Sequence, residues 1–268
     1  MTLKIAKLSL KLSGYAIALF IILGPLSSLV LWSFAEKWFW PHLLPQEYGL
    51  FYWKKVWDSG IMDALGLSFG IAALVTVITL LLTVPLSYVL ARFAIPAKAL
   101  ILMVFLLPQA FPQLPVYSNT MVLLYKWDLV GTIPGVILIH LVGTLVYAVW
   151  TMVSVMKSIP VSLEEAAINV GASRIRVFCT VTLPLAFPGI LASSLLVFLY
   201  SLDEFTGSLL IGSPFVTTMP VYMYNSAMGY EMQVASITAL LLMLPGVILL
   251  LLMERFLKSE YLAAFGRA

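Results

Sequence analysis

Seven stretches of this chain each run for at least 22 residues without one Asp, Glu, Lys or Arg: 12–35, 64–91, 99–125, 129–156, 177–202, 205–230 and 232–253. An α-helix rises about 1.5 Å per residue, so about 20 apolar residues cross the roughly 30 Å of hydrocarbon in a bilayer. Every stretch is long enough. Of the 268 residues, 62% are hydrophobic and 10% are charged, whereas a soluble domain carries about 25% charged residues. A soluble fold is therefore excluded, because it would lack the polar surface to cover itself.

The stretch 205–230 differs from the rest. It holds Gly207, Gly212, Pro214, Pro220, Asn225 and Gly229. Backbone exposed to lipid must satisfy its own hydrogen bonds, so a segment this broken is a poor span. Its start reads as the end of the fifth helix, and the remainder as an outer loop or re-entrant segment. Six spans remain. The charges check the count, because Lys and Arg accumulate on the cytoplasmic side. With six spans and the N-terminus inside, only Lys37, Lys54, Lys55 and Lys126 of the 15 Lys and Arg fall outside. Seven spans would move Arg255, Lys258 and Arg267 outside and nearly erase that bias.

Lys4, Lys7 and Lys11 precede the first apolar run, as in a secretory signal. That run is longer than the roughly 7–15 residues of a signal core, and no small-residue cleavage site is obvious. We expect a retained first membrane helix. The segment 36–60 is dense in Trp, Tyr and Phe, including Trp38, Trp40, Trp53 and Trp57. Such rings favour the membrane interface. A short amphipathic stretch on the outer leaflet is expected there.

Catalytic and metal chemistry find little support. Cys179 is the single cysteine, and His42 and His140 are far apart. No basic run suggests nucleic acid. The chain has no G-x-x-x-x-G-K-[ST] phosphate loop, nor an H-E-x-x-H or G-x-S-x-G motif. No cofactor is expected, and any nucleotide-derived energy must come from another chain.

The most informative segment, 162–184, lies between the fourth and fifth spans and so on the cytoplasmic side. Ser162 and Glu165 form S-x-x-E, a capping box that would start a helix. Pro160 precedes it, and Leu163, Ala166, Ala167 and Val170 recur at helical spacing. The small residues let another protein's backbone approach closely. Gly171 ends the helix or bends the chain. Arg174 and Arg176 begin a second helical piece toward Leu183-Pro184. An exposed apolar and small-residue face suggests a partner.

The segment resembles the EAA motif of permease subunits in binding-protein-dependent ATP-binding-cassette importers. That motif is E-A-A, three residues, Gly, nine residues, then I-x-L-P. Here Glu165-Ala166-Ala167 is followed by Gly171 and then Val181-Thr182-Leu183-Pro184, with Val181 in place of the usual Ile. The resemblance implies an all-α integral membrane fold of the type I importer class, with about six transmembrane helices and a coupling helix between the fourth and fifth. It implies coupling to an ATPase through Glu164, Glu165, Ala166, Ala167, Gly171 and Arg174. The implied partners are a cytoplasmic ATPase dimer, a second related permease and an extracytoplasmic solute-binding protein. The implied setting is the bacterial inner membrane, with both termini cytoplasmic. Residues 1–258 would form a single permease domain, and 259–268 a cytoplasmic tail.

Candidates for the solute pathway are Asp203, Glu204, Tyr200, Gln109 and Gln113. An intramembrane acid is a functional candidate by default. Asp203 and Glu204 are expected in the outer half of the fifth helix, about 100° apart, so that both do not face one point. Pro108, Pro112 and Pro115 should break the third helix. Gln109 and Gln113, four apart, are expected on one face. The run Ser201-Leu-Asp-Glu-Phe through Thr218-Met-Pro resembles permeases for polyamines and for aminophosphonates such as 2-aminoethylphosphonate, with Met219 where Leu is usual. The alternative is a stand-alone secondary transporter, which would need its own coupling-ion site and often shows two related halves.

Overall fold

The computed structural model describes the backbone of residues 2–265 and the side chains of residues 11–254. In chain order it contains α1 (Thr2–Phe34), β1 (Ala35–Lys37), β2 (Glu47–Tyr48), α2 (Phe51–Asp58), α3 (Ile61–Arg92), α4 (Lys98–Ala110), α5 (Gln113–Tyr125), α6 (Ile133–Ser158), α7 (Val161–Asn169), α8 (Arg174–Val177), α9 (Leu183–Leu202), α10 (Met219–Met228) and α11 (Met232–Phe265). Among the described residues, five helical stretches are long and apolar enough to cross a membrane: Lys11–Phe34, Ile61–Arg92, Ile133–Ser158, Arg174–Leu202 and Met232–Glu254. Helices α4 and α5 supply a sixth if their bent pair is one span. The helical, six-span expectation agrees with this architecture. The side chains of Lys4, Lys7, Arg255, Lys258 and Arg267, and those of the expected tail, lie outside the described residues.

Two compact units form. One comprises Met1–Asp63 and Tyr222–Leu244, the other Ala64–Val221 and Pro245–Ala268. In the first unit the aromatic segment is more structured than an interfacial helix alone. Strands β1 and β2 pair antiparallel, with Lys37 opposite Glu47. Their side chains form an ion pair at 2.6 Å. A Glu36 carboxylate oxygen accepts from the Phe51 backbone N–H at 3.0 Å, which fixes the start of α2. Trp32 stacks on Trp38 with ring centroids 4.4 Å apart. The amphipathic stretch survives as α2, with Val56 buried. The strands are too short for a period-two pattern to reveal them.

The second unit is built around α6, whose Val136, Ile139, Val149, Met152 and Met156 are fully buried. Thr132 caps this helix by accepting from the Gly135 N–H at 3.2 Å. Helices in lipid gain little from burying apolar surface against each other, so small residues and close packing must hold them together. The antiparallel α6–α9 pair follows that rule. Gly143 on α6 faces Tyr200 on α9, and Gly189 on α9 faces Val155 on α6. Between them, the Thr151 and Ser193 hydroxyls meet at 3.1 Å. Farther along, His140 is held by the Ser201 and Ser208 hydroxyls, each at 2.8 Å.

Three expectations about the broken segments change. The α4–α5 rod bends by 100° at Phe111-Pro112, so Gln109 and Gln113 sit on two helices rather than one face. Helix α9 ends at Leu202, so Asp203 and Glu204 follow the helix instead of lying within it. The segment after them does not continue the fifth helix as a frayed end. It forms a π-helical turn, Ser208–Gly212, and then α10. Ile211 of that turn is fully buried with Val136 and Ile139 of α6. Broken backbone is tolerated when it is buried in protein in this way.

Candidate functional sites: a cytoplasmic-loop helix and a polar cavity

Helix α7 begins one residue before the expected cap. Its N-cap is Pro160, which has no side-chain capping bond. The capping box does not form, because Ser162 already has helical backbone and cannot fold back onto the first N–H groups. The helix end does follow expectation. Gly171 has φ +91°, a conformation that L side chains resist. Its N–H donates to the Ile168 carbonyl at 2.9 Å, and the Ala172 N–H donates to Ala167 at 3.1 Å. This pair of bonds is a Schellman closure, which satisfies two of the helix's last carbonyls. Ser173 then caps α8 by accepting from the Arg176 N–H at 3.4 Å.

The surface of this segment is apolar and small. Glu165, Ala166 and Gly171 are exposed. Val170 and Ile175 are 86% and 79% exposed. A Cβ added at Gly171 would meet no atom within 4 Å, so only the backbone demands glycine there. One candidate turns the other way: Glu164 is 5% exposed and accepts from the Arg92 Nε at 2.8 Å. Arg174 remains exposed while lying over the Phe93 ring, 5.3 Å from its centroid. Sequence reasoning missed Arg92, whose only signal was a charge at the end of an apolar run.

The pathway candidates converge on a cavity of about 540 Å³, lined by Gln113, Tyr147, Leu196, Leu199, Tyr200, Asp203, Glu204, Phe205 and Thr206. Because α9 has ended, both acids reach this cavity, against the expectation that they diverge. Their environments differ. Glu204 is buried, accepting from the Gly207 N–H at 2.8 Å and the Tyr117 hydroxyl at 3.4 Å. Asp203 is exposed to the cavity. The Tyr200 hydroxyl accepts from Gln113 Nε2 at 3.2 Å, while the Tyr147 ring lies 5.0 Å from the Tyr200 ring. Gln109, at the exposed end of α4, also interacts with the Tyr200 hydroxyl. Among the described residues, no group of three His, Cys, Asp or Glu could hold a metal.

Gly143 makes room for this arrangement. A Cβ there would collide with the Tyr200 hydroxyl and would lie 2.7 Å from Cζ. That ring also packs against Tyr147, one turn along α6, and its hydroxyl is held by Gln113, so it cannot simply step away. Gly143→Ala should therefore destabilise the protein by about 1–3 kcal/mol, as overpacking does. Thermal unfolding in detergent would show it as a lowered midpoint.

The model for binding-protein-dependent transport system inner membrane components matches residues 83–260. An ABC transporter permease protein of Streptomyces antibioticus is 31% identical, over 73% of this chain and 86% of its own length. A putrescine transport system permease of Escherichia coli is 26% identical, over 84% and 83% of the two chains. Among solved structures, a bacterial ABC transporter involved in import of the acidic polysaccharide alginate superposes with a TM-score of 0.71 at 16% identity, covering 94% of this chain and 96% of that one. With the family model spanning residues 83–260, across α7 and the cavity alike, the chain belongs to the binding-protein-dependent transport system inner membrane components, the multi-pass permeases of ABC importers.

Proposed function

We propose that this permease forms half of a translocation pathway for a small polar solute and is driven through the exposed face of α7. Its family is the non-catalytic membrane component of such importers, with the ATPase on a separate chain. In this reading residues 1–258 act as one permease domain, with a tail at 259–268 and both termini in the cytoplasm. A cytoplasmic ATPase dimer grips Glu165, Ala166, Ala167 and Gly171. A second related permease completes the pathway, and an external binding protein delivers the solute. A stand-alone secondary transporter does not fit membership in a binding-protein-dependent family.

The observation that supports a substrate class is the exposed Asp203 carboxylate beside the Tyr147–Tyr200 pair. No Lys, Arg or His is among the cavity's lining residues. An acid flanked by aromatic faces attracts an ammonium group by direct charge and by cation–π contact. A cationic amine such as a polyamine fits, as in the putrescine permease relative. An aminophosphonate would present its amine to Asp203 with no basic side chain for its phosphonate. Carbohydrate is the second reading, favoured by a trehalose transport system permease of Mycobacterium tuberculosis that is 30% identical over 72% of this chain. Aromatic rings and carboxylates also suit sugar hydroxyls.

Asp203→Asn separates the two readings. Removing the charge while keeping the shape should lower putrescine uptake by about tenfold or more, since charged hydrogen bonds contribute about 1.5–3 kcal/mol. Trehalose uptake would change little, because an amide still hydrogen-bonds a hydroxyl. Uptake assays in proteoliposomes containing the complete importer would measure both. Unchanged putrescine uptake by Asp203→Asn would remove the amine reading.

A further inference from the structure

We infer that Arg92 and Glu164 form an internal tie that transmits movement of α7 to the membrane helices, so that Glu164 is a positioning residue and not part of the ATPase-facing surface. The inference rests on the proposed docking of an ATPase at α7, and it assigns the neighbouring acids Glu164 and Glu165 opposite roles.

The geometry is that of a fastening. Glu164 is the one buried residue of α7. Its Oε1 receives the Arg92 Nε at 2.8 Å, and both side chains are only 7% exposed. The same oxygen accepts from the Thr182 hydroxyl at 2.9 Å, and Oε2 accepts from the Tyr88 hydroxyl at 3.3 Å. Arg92 also donates from Nη2 to the Ile159 carbonyl at 3.0 Å. One carboxylate thus joins α7 to the end of α3 and, through Thr182, to a second π-helical turn, Phe178–Thr182, that leads into α9. Arg174 over Phe93 repeats the connection from α8 to the residue just after α3.

Docking alone does not require this. The rest of α7 presents an exposed surface, with Val161, Leu163 and Ile168 each more than 40% exposed, so little apolar packing holds it to its own chain. A helix so loosely packed would slide or tilt under load unless a strong polar contact held it. A buried ion pair supplies that contact, because breaking it leaves an uncompensated charge in a low-dielectric site. The two helices it grips are the useful ones. Helix α9 carries Tyr200 in its last turn and stops at Leu202, so its end bears on the cavity that Tyr200 and Asp203 line. Helix α3 reaches the far side of the same unit, where the Ser68 hydroxyl accepts from the Met219 N–H at 2.7 Å. Displacing α7 therefore displaces the cavity-bearing helix through Thr182 and α3 through Arg92. Other buried polar groups, such as His140, bridge helices but make no contact with α7.

The test needs a readout of transmission and not of fold. In a Cys179→Ser background, Thr206→Cys reports the cavity through its rate of maleimide labelling. The complete importer is labelled with and without a non-hydrolysable ATP analogue, and the ratio of rates measures transmission. Glu164→Gln should still co-purify the ATPase, with ordinary ATP hydrolysis, but its labelling ratio should move about tenfold or more toward one, within the span typical of coupling between sites. Arg92→Lys, a milder change that keeps the charge but loses the forked donor, should give an intermediate loss. An unchanged ratio in either variant overturns the tie, as does loss of ATPase co-purification by Glu164→Gln, which would make Glu164 a docking residue. Glu165→Arg tests the underlying reading separately. It should lose the ATPase, and retention of the ATPase by that variant would count against docking at α7, while the labelling ratios of the other two variants still decide the tie.

Discussion

A chain carrying Gly171→Asp should reach the membrane at ordinary abundance yet lose about 100-fold in ATP-driven uptake, near the upper end of coupling effects between linked sites. Two physical terms add. First, φ is +91° at this position. A non-glycine residue in left-handed backbone costs about 1–2 kcal/mol. That strain falls on the closing bonds from Gly171 and Ala172 to Ile168 and Ala167, so the last turn of α7 loosens. Second, the site is open. The added Cβ therefore meets no neighbour in its own chain, and the bulk and charge of the aspartate fall on whatever docks there. Neither term reaches the core of the unit, which is why insertion should be spared. Gly171→Ala carries the strain without the charge and should lose less. Uptake assays alongside membrane abundance would measure both, and normal uptake by Gly171→Asp would remove the docking role of this surface.

The largest expected effect on stability belongs to His140. It is 1% exposed on α6, and both ring nitrogens are used, by Ser201 and by Ser208. In a neutral imidazole one nitrogen donates and the other accepts, so the ring bridges two hydroxyls of opposite role. The two serines lie on α9 and on the π-helical turn that follows it. His140→Leu keeps the bulk but leaves two buried hydroxyls unpaired, at about 1–3 kcal/mol each. We expect a drop in stability of about 2–6 kcal/mol, read as a lowered unfolding midpoint in detergent. The triple change His140→Leu, Ser201→Ala and Ser208→Ala removes all the polar partners together and should recover much of the loss. A triple variant no more stable than the single would show that packing, and not hydrogen bonding, governs this position.

The sequence made the spans legible because hydrocarbon imposes a length and forbids charge, and both can be read one residue at a time. Gly171 was legible for a similar reason, since a helix end that needs positive φ selects glycine. The features that escaped depend on where a helix stops or what it meets. The divergence expected of Asp203 and Glu204 assumed that α9 ran through them, but it stops at Leu202. The shared face of Gln109 and Gln113 assumed a straight rod, but the break at Phe111-Pro112 turns the second helix by 100°. Residues 206–209 lie at the start of a stretch expected to end the fifth helix, yet they belong to a separate turn in which Gly207 and Ser208 are buried. Their burial comes from packing against α6, which no local pattern encodes. The pairing of Arg92 with Glu164, 72 residues apart, is likewise a tertiary fact. In sequence Glu164 and Glu165 are adjacent and alike, and only the fold turns one inward and the other outward.

The central claim is that the outward face of α7 is gripped by a separate ATPase. Cysteine cross-linking tests it most directly. Cys179 is exposed, so it is first replaced by serine, and Ala166→Cys then places a single thiol on the face in question. With a short bifunctional thiol reagent in inside-out membrane vesicles containing the complete importer, the account predicts a covalent adduct between this chain and the ATPase, with a yield that changes when ATP binds. Absence of any ATPase adduct, together with labelling of Ala166→Cys by an impermeant reagent applied to the outer face of intact cells, would contradict it.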